Sequence, residues 1–199
     1  SEFIQFENDL KLRVKQRPEY LIAKEADKKY LEEIKPIVFV ETTRKNLNKI
    51  VMSIITDCCI VVDGPLSSGK TTLIEYLAYK TKNKLIKYQM DEYMDSKSLI
   101  GNYICSDIPG KFLWKPGPLY QAVSLGHWIL LEDFDHSPLD TLSLLIDLLE
   151  TKCIRTSDTI INIRPTFRLF LTLRSSDAKR SNMTFIDSIK KLSRHVILD

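Results

Sequence analysis

An apolar run meets a glycine-rich pattern in the segment Ile60-Val61-Val62-Asp63-Gly64-Pro65-Leu66-Ser67-Ser68-Gly69-Lys70-Thr71-Thr72. The pattern is Gly-x-x-x-x-Gly-Lys-Thr, and Leu73-Ile74-Glu75-Tyr76-Leu77-Ala78 follows it with helical spacing. A phosphate-binding P-loop lies between a buried strand and the start of a helix, and both flanks are present here. Because the flanks fit, we favour a P-loop over a glycine-rich turn that only shares the pattern.

The residues of this loop have different predicted roles in binding ATP or ADP with Mg²⁺. Gly64 and Gly69 allow a tight fold in which backbone N–H groups face phosphate oxygens, at the positive end of the following helix. Lys70 is predicted to reach the outer phosphates, and the Thr71 hydroxyl is predicted to ligate Mg²⁺. The predicted cofactor-binding set is Gly64, Pro65, Leu66, Ser67, Ser68, Gly69, Lys70, Thr71 and Thr72.

A pair of acidic residues follows the apolar run Trp128-Ile129-Leu130-Leu131. A P-loop needs a carboxylate at the end of a neighbouring strand to hold Mg²⁺, and a second one can orient the attacking water. We therefore predict Glu132 on the metal side and Asp133 as the water-activating residue, both catalytic. Asp133 has a shorter reach than Glu, which can slow hydrolysis without harming binding. The alternative is two exposed acids in a turn.

Composition and length fit one sizeable α/β domain with an appendage. The chain has 199 residues, of which 44% are hydrophobic and 28% charged, as in ordinary globular proteins. It shows no apolar run of membrane-spanning length and no signal-peptide pattern, so we expect no membrane partner. Its four cysteines include no Cys-x-x-Cys pair, which predicts reduced thiols. The absence of an initiating Met suggests an excised piece of a longer protein.

The net charge of +3 hides a basic C-terminal part, because residues 164–199 carry 8 basic and 3 acidic groups. Such a segment could meet RNA or an acidic partner surface. No aromatic-interleaved RNA motif accompanies it, so we favour a solvated face and leave direct RNA contact open.

Periodicity predicts strands that alternate with helices, and hence a mostly parallel sheet with helices on both faces. In residues 1–35, Leu10, Leu12 and Val14 alternate as in a short strand, and a helix is predicted between Pro18 and Pro36. Predicted helices are one capped by Thr42 or Thr43, one from Lys70 to about Lys80, a short one at Asp95–Gly101, Leu119–Leu125, Leu139–Leu149, and one after Phe185. Predicted strands are Cys59–Val62, Leu85–Tyr88, Trp128–Leu131, Ile160–Ile163, Phe167–Leu173 and a last one near Leu198.

Several segments together resemble the AAA+ modules of midasins, the giant dynein-related ATPases of ribosome assembly. They are Gly64 to Ala78, Asp95 to Gly101, Pro109-Gly110 with Gly117-x-Leu119, Gly126 to Asp133, Ser137-Pro138-Leu139-Asp140 and Phe167 to Thr172. They cover about residues 40–199, and the Glu132-Asp133 order most resembles the first module of the midasin ring.

The resemblance implies an AAA+ P-loop NTPase core, which we place over residues 36–199. The N-terminal segment, residues 1–35, is too short for a core of its own, so we expect it to pack on this core or on a missing partner. The resemblance also implies hairpin inserts at about Lys111–Lys115 and near Thr156–Arg164. The implied partners are neighbouring AAA+ modules of the same chain, the pre-ribosomal particle and assembly factors. The implied activity is ATP-driven release of those factors from large-subunit precursors in the nucleus, in the nucleolus and nucleoplasm.

Two departures from the family pattern, together with the Glu132-Asp133 order, concern hydrolysis. The sensor-1 position, often Asn, falls at Arg174, and the place of the arginine finger holds Lys190 and Lys191, with Arg194 nearby. A Lys cannot reproduce a bidentate guanidinium contact to phosphate. The chain also ends before the helical lid expected of an AAA+ module.

Two other functions are therefore weighed. One is a non-hydrolysing structural module of the same ring, which the departures favour and the intact P-loop disfavours. The other is a small nucleoside or sugar kinase, which shares the P-loop but has no evident Arg-rich lid in this sequence.

Overall fold

A computed structural model of the chain describes residues 3–6, 10–13, 37, 40–105, 111–156, 159–173 and 182–198. The helices are α1 (Glu41–Thr56), α2 (Lys70–Lys80), α3 (Ser96–Ile100), α4 (Pro118–Leu125), α5 (Leu139–Thr151) and α6 (Met183–Lys191). The strands are β1 (Phe3–Phe6), β2 (Leu10–Arg13), β3 (Cys59–Asp63), β4 (Leu85–Gln89), β5 (Gly101–Cys105), β6 (Phe112–Pro116), β7 (Trp128–Glu132), β8 (Cys153–Arg155), β9 (Ile160–Asn162), β10 (Arg168–Thr172) and β11 (Arg194–Ile197).

Five of these strands form a central sheet in the order β11-β3-β10-β7-β4. All four neighbouring pairs are parallel, which confirms the predicted sheet. The prediction that the acidic strand neighbours the P-loop strand is wrong, because β10 lies between β3 and β7. The two strands are thus separated by two strand spacings, about 10 Å.

Helices cover both faces of this sheet, as predicted. Alternate side chains of β3 point to opposite faces, so Ile60 and Val62 pack in the hydrophobic cluster under α1 and α2. Cys59 and Val61 pack in the cluster under α4, α5 and α6. The three inner strands, β3, β10 and β7, are covered on both sides, and their sequences are nearly continuous apolar runs. The edge strands β4 and β11 are more exposed and include polar residues.

Helix α1 begins earlier than predicted. Its N-cap is Val40, whose carbonyl accepts from the Arg44 N–H at 3.1 Å, and no side chain caps the helix. The prediction of a Thr42 or Thr43 cap is therefore wrong. Glu41 in the first turn complements the positive helix end, and this effect substitutes for a hydroxyl cap.

The two hairpin inserts are present with different bounds. Strand β6 covers most of the predicted Lys111–Lys115 insert, but its antiparallel partner is β5, which starts at the helix-ending Gly101. Gly101 has φ +144, and a Cβ there would lie 2.6 Å from the Lys115 carbonyl oxygen. The second hairpin pairs β8 with β9 and starts at Cys153, earlier than the predicted Thr156.

The N-terminal residues contain an antiparallel pair of strands, β1 and β2. Strand β2 matches the alternation predicted around Leu10, whereas β1 was not predicted. Strand β2 lies beside α1. The helix predicted between Pro18 and Pro36 and the turn at Pro109-Gly110 lie outside the described residues. The division at residue 35 stays a prediction. Among the described helices, none combines the length and apolarity needed to cross a membrane.

Candidate nucleotide-binding site

A cleft of about 380 Å³ opens at the carboxyl edge of the sheet, where the strands end. Such an edge is where open parallel sheets bind ligands. The cleft brings together both parts of the predicted site, since it is lined by Leu66, Ser67, Ser68, Gly69, Lys70, Thr71, Thr72, Gln89, Glu132, Asp133, Thr172 and Leu173.

The loop between β3 and α2 is held in a tight, specific shape. A Cβ at Gly64 would lie 3.1 Å from the Cβ of Leu198 and 3.1 Å from Ser68 Oγ. Gly69 is the N-cap of α2 and has φ +80, a left-handed conformation that favours glycine. Ser67 also has a positive φ, of 64°. Close packing thus favours glycine at position 64, and backbone geometry favours it at position 69.

The Lys70 side chain folds back over this loop. Its Nζ donates to the Gly64 carbonyl oxygen at 2.8 Å and to the Pro65 carbonyl oxygen at 2.9 Å. The ammonium is therefore held over the loop, at the first turn of α2. A phosphate oxygen entering the loop would compete with these neutral carbonyls for a charged donor, and a charge-assisted hydrogen bond is the stronger of the two.

Thr71 and Glu132 meet across the cleft, although they are far apart in sequence. The Thr71 hydroxyl donates to Glu132 Oε1. Hydroxyl, carboxylate, water and phosphate oxygens are the ligands Mg²⁺ prefers, usually with one or two carboxylates from the protein. These two oxygens fit such an ion. Within the described ranges no group of three or more His, Cys, Asp or Glu side chains could hold a metal.

Asp133 is fixed by two contacts at the end of β7. Its backbone is left-handed, with φ 55 and ψ 45, a conformation that Asp tolerates better than most residues. Its N–H donates to Thr172 Oγ1 at 3.2 Å, and its Oδ2 accepts from Gln89 Nε2 at 2.9 Å. The carboxylate is therefore already hydrogen-bonded to an amide at the cleft wall.

Sequence reasoning missed Gln89, Thr172 and Leu173 as site residues. Each lies at the carboxyl end of β4 or β10, and those strands flank β7 on either side. The strands themselves were predicted, but their order was not. Knowing that order would have placed these residues beside Asp133.

A second cleft, of about 290 Å³, lies on the other side of the loop. It shares Ser67, Ser68, Gly69 and Thr72 with the first cleft, and its remaining lining residues are Ile37, Thr42, Thr43, Asn46 and Leu73. The loop thus separates a polar cleft with the acidic pair from one between the loop and the start of α1. An elongated ligand with a charged end and an uncharged end fits this arrangement.

The residues at the arginine-finger position point elsewhere. Lys190 Nζ lies 4.0 Å from Asp63 Oδ2, just before the loop. Arg194 Nε lies 3.4 Å from Asp57 Oδ2, at the opposite edge of the sheet. Neither residue lines the cleft. Arg174, at the sensor-1 position, lies outside the described residues.

Comparisons with known proteins identify the class to which this fold and site belong. The family model for the AAA domain, dynein-related subfamily, matches residues 60–189. The chain therefore belongs to the dynein-related subfamily of AAA domains.

More specific relatives are midasins. The chain is 40% identical to midasin of Dictyostelium discoideum over 143 residues, which are 70% of this chain and 2% of that protein. It is 28% identical to midasin of Giardia intestinalis over 142 residues, 70% of this chain and 3% of that protein. The chain is thus a midasin-like AAA+ ATPase module, and it spans only a few per cent of the length of these relatives.

Two more distant proteins resemble the chain, one in sequence and one in fold. The chain is 24% identical to protein CbbQ of Hydrogenophilus thermoluteolus over 116 residues, 57% of this chain and 43% of that protein. The crystal structure of a protein assigned as an ATPase from Cytophaga hutchinsonii has a TM-score of 0.62 and 19% identity, covering 88% of this chain and 50% of that one. This structural likeness supports the α/β P-loop fold alone.

Proposed function

We propose that this module binds ATP with Mg²⁺ and hydrolyses it slowly, as part of a midasin-like ring that remodels precursors of the large ribosomal subunit. In this proposal ATP energy releases assembly factors from the precursor, and the work takes place in the nucleolus and nucleoplasm. Neighbouring AAA+ modules of the same chain are the immediate partners. The similarity to two midasins supports this context.

One observation carries the nucleotide-binding part of the proposal. The Thr71 hydroxyl and the Glu132 carboxylate meet at one point of the cleft that the loop and Lys70 also line. A coincidental glycine-rich turn would not bring its Thr to a carboxylate 61 residues away.

Different residues would bind different parts of the nucleotide and its Mg²⁺. The backbone N–H groups from Leu66 to Thr72 and the N-terminal end of α2 would hold the phosphates. Lys70 would exchange its contacts with the Gly64 and Pro65 carbonyls for phosphate oxygens. Bound Mg²⁺, held by Thr71 and by Glu132, would neutralise charge that develops on the phosphates.

Asp133 is the residue that could orient the attacking water. Its carboxylate must be available to that water, but its Oδ2 is hydrogen-bonded to the Gln89 amide. Asp also lacks one methylene compared with Glu. Since positioning governs phosphoryl transfer, both features favour slow turnover.

The second candidate is a non-hydrolysing module that binds nucleotide statically, or not at all, and acts in ring structure or docking. The Gln89–Asp133 hydrogen bond favours it, because the proposed base is already engaged. The contacts of Lys190 and Arg194 with acids of their own chain also fit it.

Calorimetric titration of ATP and ADP with Mg²⁺ tests the proposal. We expect binding by this chain, and a loss of about 10- to 150-fold in affinity in the Lys70→Ala variant, since one charged hydrogen bond is worth about 1.5–3 kcal/mol. The matched control is Lys97→Ala, which removes an exposed lysine outside both clefts.

Each outcome distinguishes the candidates. Binding by the Lys97→Ala variant but not by Lys70→Ala supports a working P-loop. Equal binding by all three proteins contradicts the role of Lys70, and no binding by any of them supports the structural module. In cells, Lys70→Ala in the intact protein should leave assembly factors on large-subunit precursors, measured by affinity purification.

A further inference from the structure

The edge of the sheet opposite the P-loop carries an excess of positive charge. This edge consists of the last helical turns and loops that lead into the amino ends of the five central strands. Its basic side chains form what we call the basic edge: Lys80, Lys82, Lys84, Lys152, Arg164, Lys191 and Arg194. In the same turns and loops, the described acidic residues are Asp57 and Glu150.

Short contacts join the loops at one side of this edge. The Trp128 N–H donates to the Lys84 carbonyl oxygen at 2.9 Å, which ties the loop before β4 to the start of β7. A Cβ at Gly126 would lie 3.3 Å from the Cβ of Arg164, so the loops before β7 and β10 also touch. Lys84 and Arg164 therefore lie on the two loops that flank the loop before β7.

Contacts at the other side complete the row. Lys152 Nζ lies 3.5 Å from Cys58 Sγ, which precedes β3. Arg194, at the start of β11, pairs with Asp57. Because neighbouring strands are about 4.8 Å apart, the edge from β11 to β4 is about 19 Å long.

Helix dipoles do not account for this charge. A basic residue in the last turn of a helix compensates the negative helix end. Of the described helices, α2, α3 and α6 have one, and that of α3, Lys97, does not belong to the basic edge. Helices α1, α4 and α5 have none in their last turn. Lys84 and Arg164 lie in the loops beyond the helices and are exposed, so they face solvent at the end of the sheet.

We propose that the basic edge binds the phosphate backbone of a nucleic acid duplex. Phosphates on a duplex form a dense linear array of charge, which a row of cations about 19 Å long matches better than the mixed charges of a protein surface. Base stacking on single strands requires exposed aromatic side chains. Of the aromatic residues described in these turns and loops, Trp128 is 3% and Phe167 0% exposed, and Tyr79, at 41%, offers a ring for one base and not a platform for successive bases. The recognition is therefore electrostatic and independent of sequence.

This binding does not depend on the proposed nucleotide site, because the two lie at opposite ends of the strands. The P-loop edge carries Asp63, Glu132, Asp133 and Asp135, and the basic edge carries the cations. The first edge offers phosphate a compact backbone site with acidic side chains beside it, whereas the second offers a row of cations that can follow a duplex.

Fluorescence anisotropy of a short labelled RNA duplex, measured over a range of salt concentrations, tests the proposal. We expect the duplex to bind, and we expect the logarithm of its association constant to fall linearly with the logarithm of the salt concentration. The double variant Lys84→Gln with Arg164→Gln should bind more weakly and reduce the slope by about 2, one for each phosphate contact removed. The matched control replaces Lys45 and Lys97, on the P-loop side, by Gln and should leave the slope unchanged.

Further variants and ligands test whether positive charge alone accounts for binding, and whether the duplex can be RNA or DNA. A charge-conserving pair, Lys84→Arg with Arg164→Lys, should retain binding and unfold at the same temperature as the parent chain. Duplex DNA that binds as well as RNA supports backbone recognition, and tighter RNA binding supports it with added 2′-hydroxyl contacts. The proposal is overturned if no duplex binds, or if single strands bind and duplexes do not. It is also overturned if the two double Gln variants have equal effects, or if polyglutamate of equal total charge displaces the duplex.

Discussion

The two edges of the central sheet are built from the same five strands, but they handle charge in different ways. At the carboxyl edge, the loop from Gly64 to Lys70 offers backbone N–H groups and a helix N-terminus, and the side chains nearby are mostly acidic. At the amino edge, helices end with their negative poles, and the loops carry lysines and arginines. Both edges can attract phosphate, but the first does so with backbone geometry and the second with side chains.

This difference has a physical origin in the direction of the chain. In a parallel sheet every strand enters from one edge and leaves at the other, so the connecting helices all begin near the carboxyl edge. Helix N-termini therefore gather there, and helix C-termini gather at the opposite edge. A tight anion site needs only suitable loops at the first edge, whereas the second edge must add cations.

The largest expected effect is on the free energy of unfolding, and it should differ between two arginines of the amino edge, Arg168 and Arg164. Arg168 donates to the carbonyl oxygens of Ile54, Pro165 and Phe167 at 2.9, 2.8 and 2.7 Å, and burial lowers the pKa of its guanidinium. Arg168→Met should reduce the free energy of unfolding by about 3 kcal/mol, because partly buried carbonyls lose a charged donor. Urea denaturation measures this loss.

Arg164→Met is the matched control, because Arg164 is exposed. It should change stability by less than about 0.5 kcal/mol. Equal losses in the two variants would contradict the distinction between an arginine that holds the edge together and one that faces solvent.

A smaller effect is expected at the carboxyl edge, in turnover. If side-chain reach limits hydrolysis, Asp133→Glu should raise the ATPase rate by about tenfold, because a longer carboxylate comes closer to the attacking water. The left-handed backbone at this position should make the same variant less stable by about 1 kcal/mol. Steady-state phosphate release and thermal unfolding measure the two effects.

Asp133→Asn serves as the control for charge, since Asn tolerates the same backbone conformation. It should abolish the turnover that remains. If Asp133→Glu leaves the rate unchanged, side-chain reach is not what limits this module, and the structural alternative gains support.

The smallest effect concerns pH at the amino edge. Burial raises the pKa of the Cys59 thiol far above its ordinary value, so the folded chain keeps this thiol neutral. In the unfolded chain a thiol ionises near pH 8.5. The contribution of Cys59 to the free energy of unfolding is therefore fully present below that pH and decreases as the pH rises above it. The expected decrease is about 1 kcal/mol between pH 8 and pH 9.5.

Denaturant unfolding at several pH values, compared between the parent chain and Cys59→Ala, measures this loss. The variant should lose less stability over the same range, whatever its stability at pH 7. Parallel pH profiles would show that the start of β3 is open to solvent, and would weaken the description of the amino edge as a closed row of loops.

Local sequence was sufficient where one segment contains the whole signal. The loop at Gly64–Thr71, the short helix capped by Asp95, and the helix ended by Gly126 all have the predicted character. In each case the hydrogen bonds or backbone angles involve residues a few positions apart, so periodicity and glycine placement carry the information.

Prediction failed where the answer depended on another segment. The first strand of the hairpin, β5, was missed because its pairing with β6 is a long-range property. The residues Gln89 and Thr172 were missed because nothing local marks them, and only strand order brings them to Asp133. The sequence placed Lys190 at the arginine-finger position but did not predict its contact with Asp63, which depends on how α6 packs against β3.

The sequence by itself determined the P-loop, the acidic pair after an apolar strand, and a parallel sheet covered on both faces, because each of these is written in spacing along the chain. Only the tertiary structure decided that β10 separates the two halves of the site, that Gln89 engages Asp133, and that cations from several loops meet at one edge. The physical reason is that side-chain contacts across a sheet depend on strand order, and strand order is fixed by packing of the whole domain.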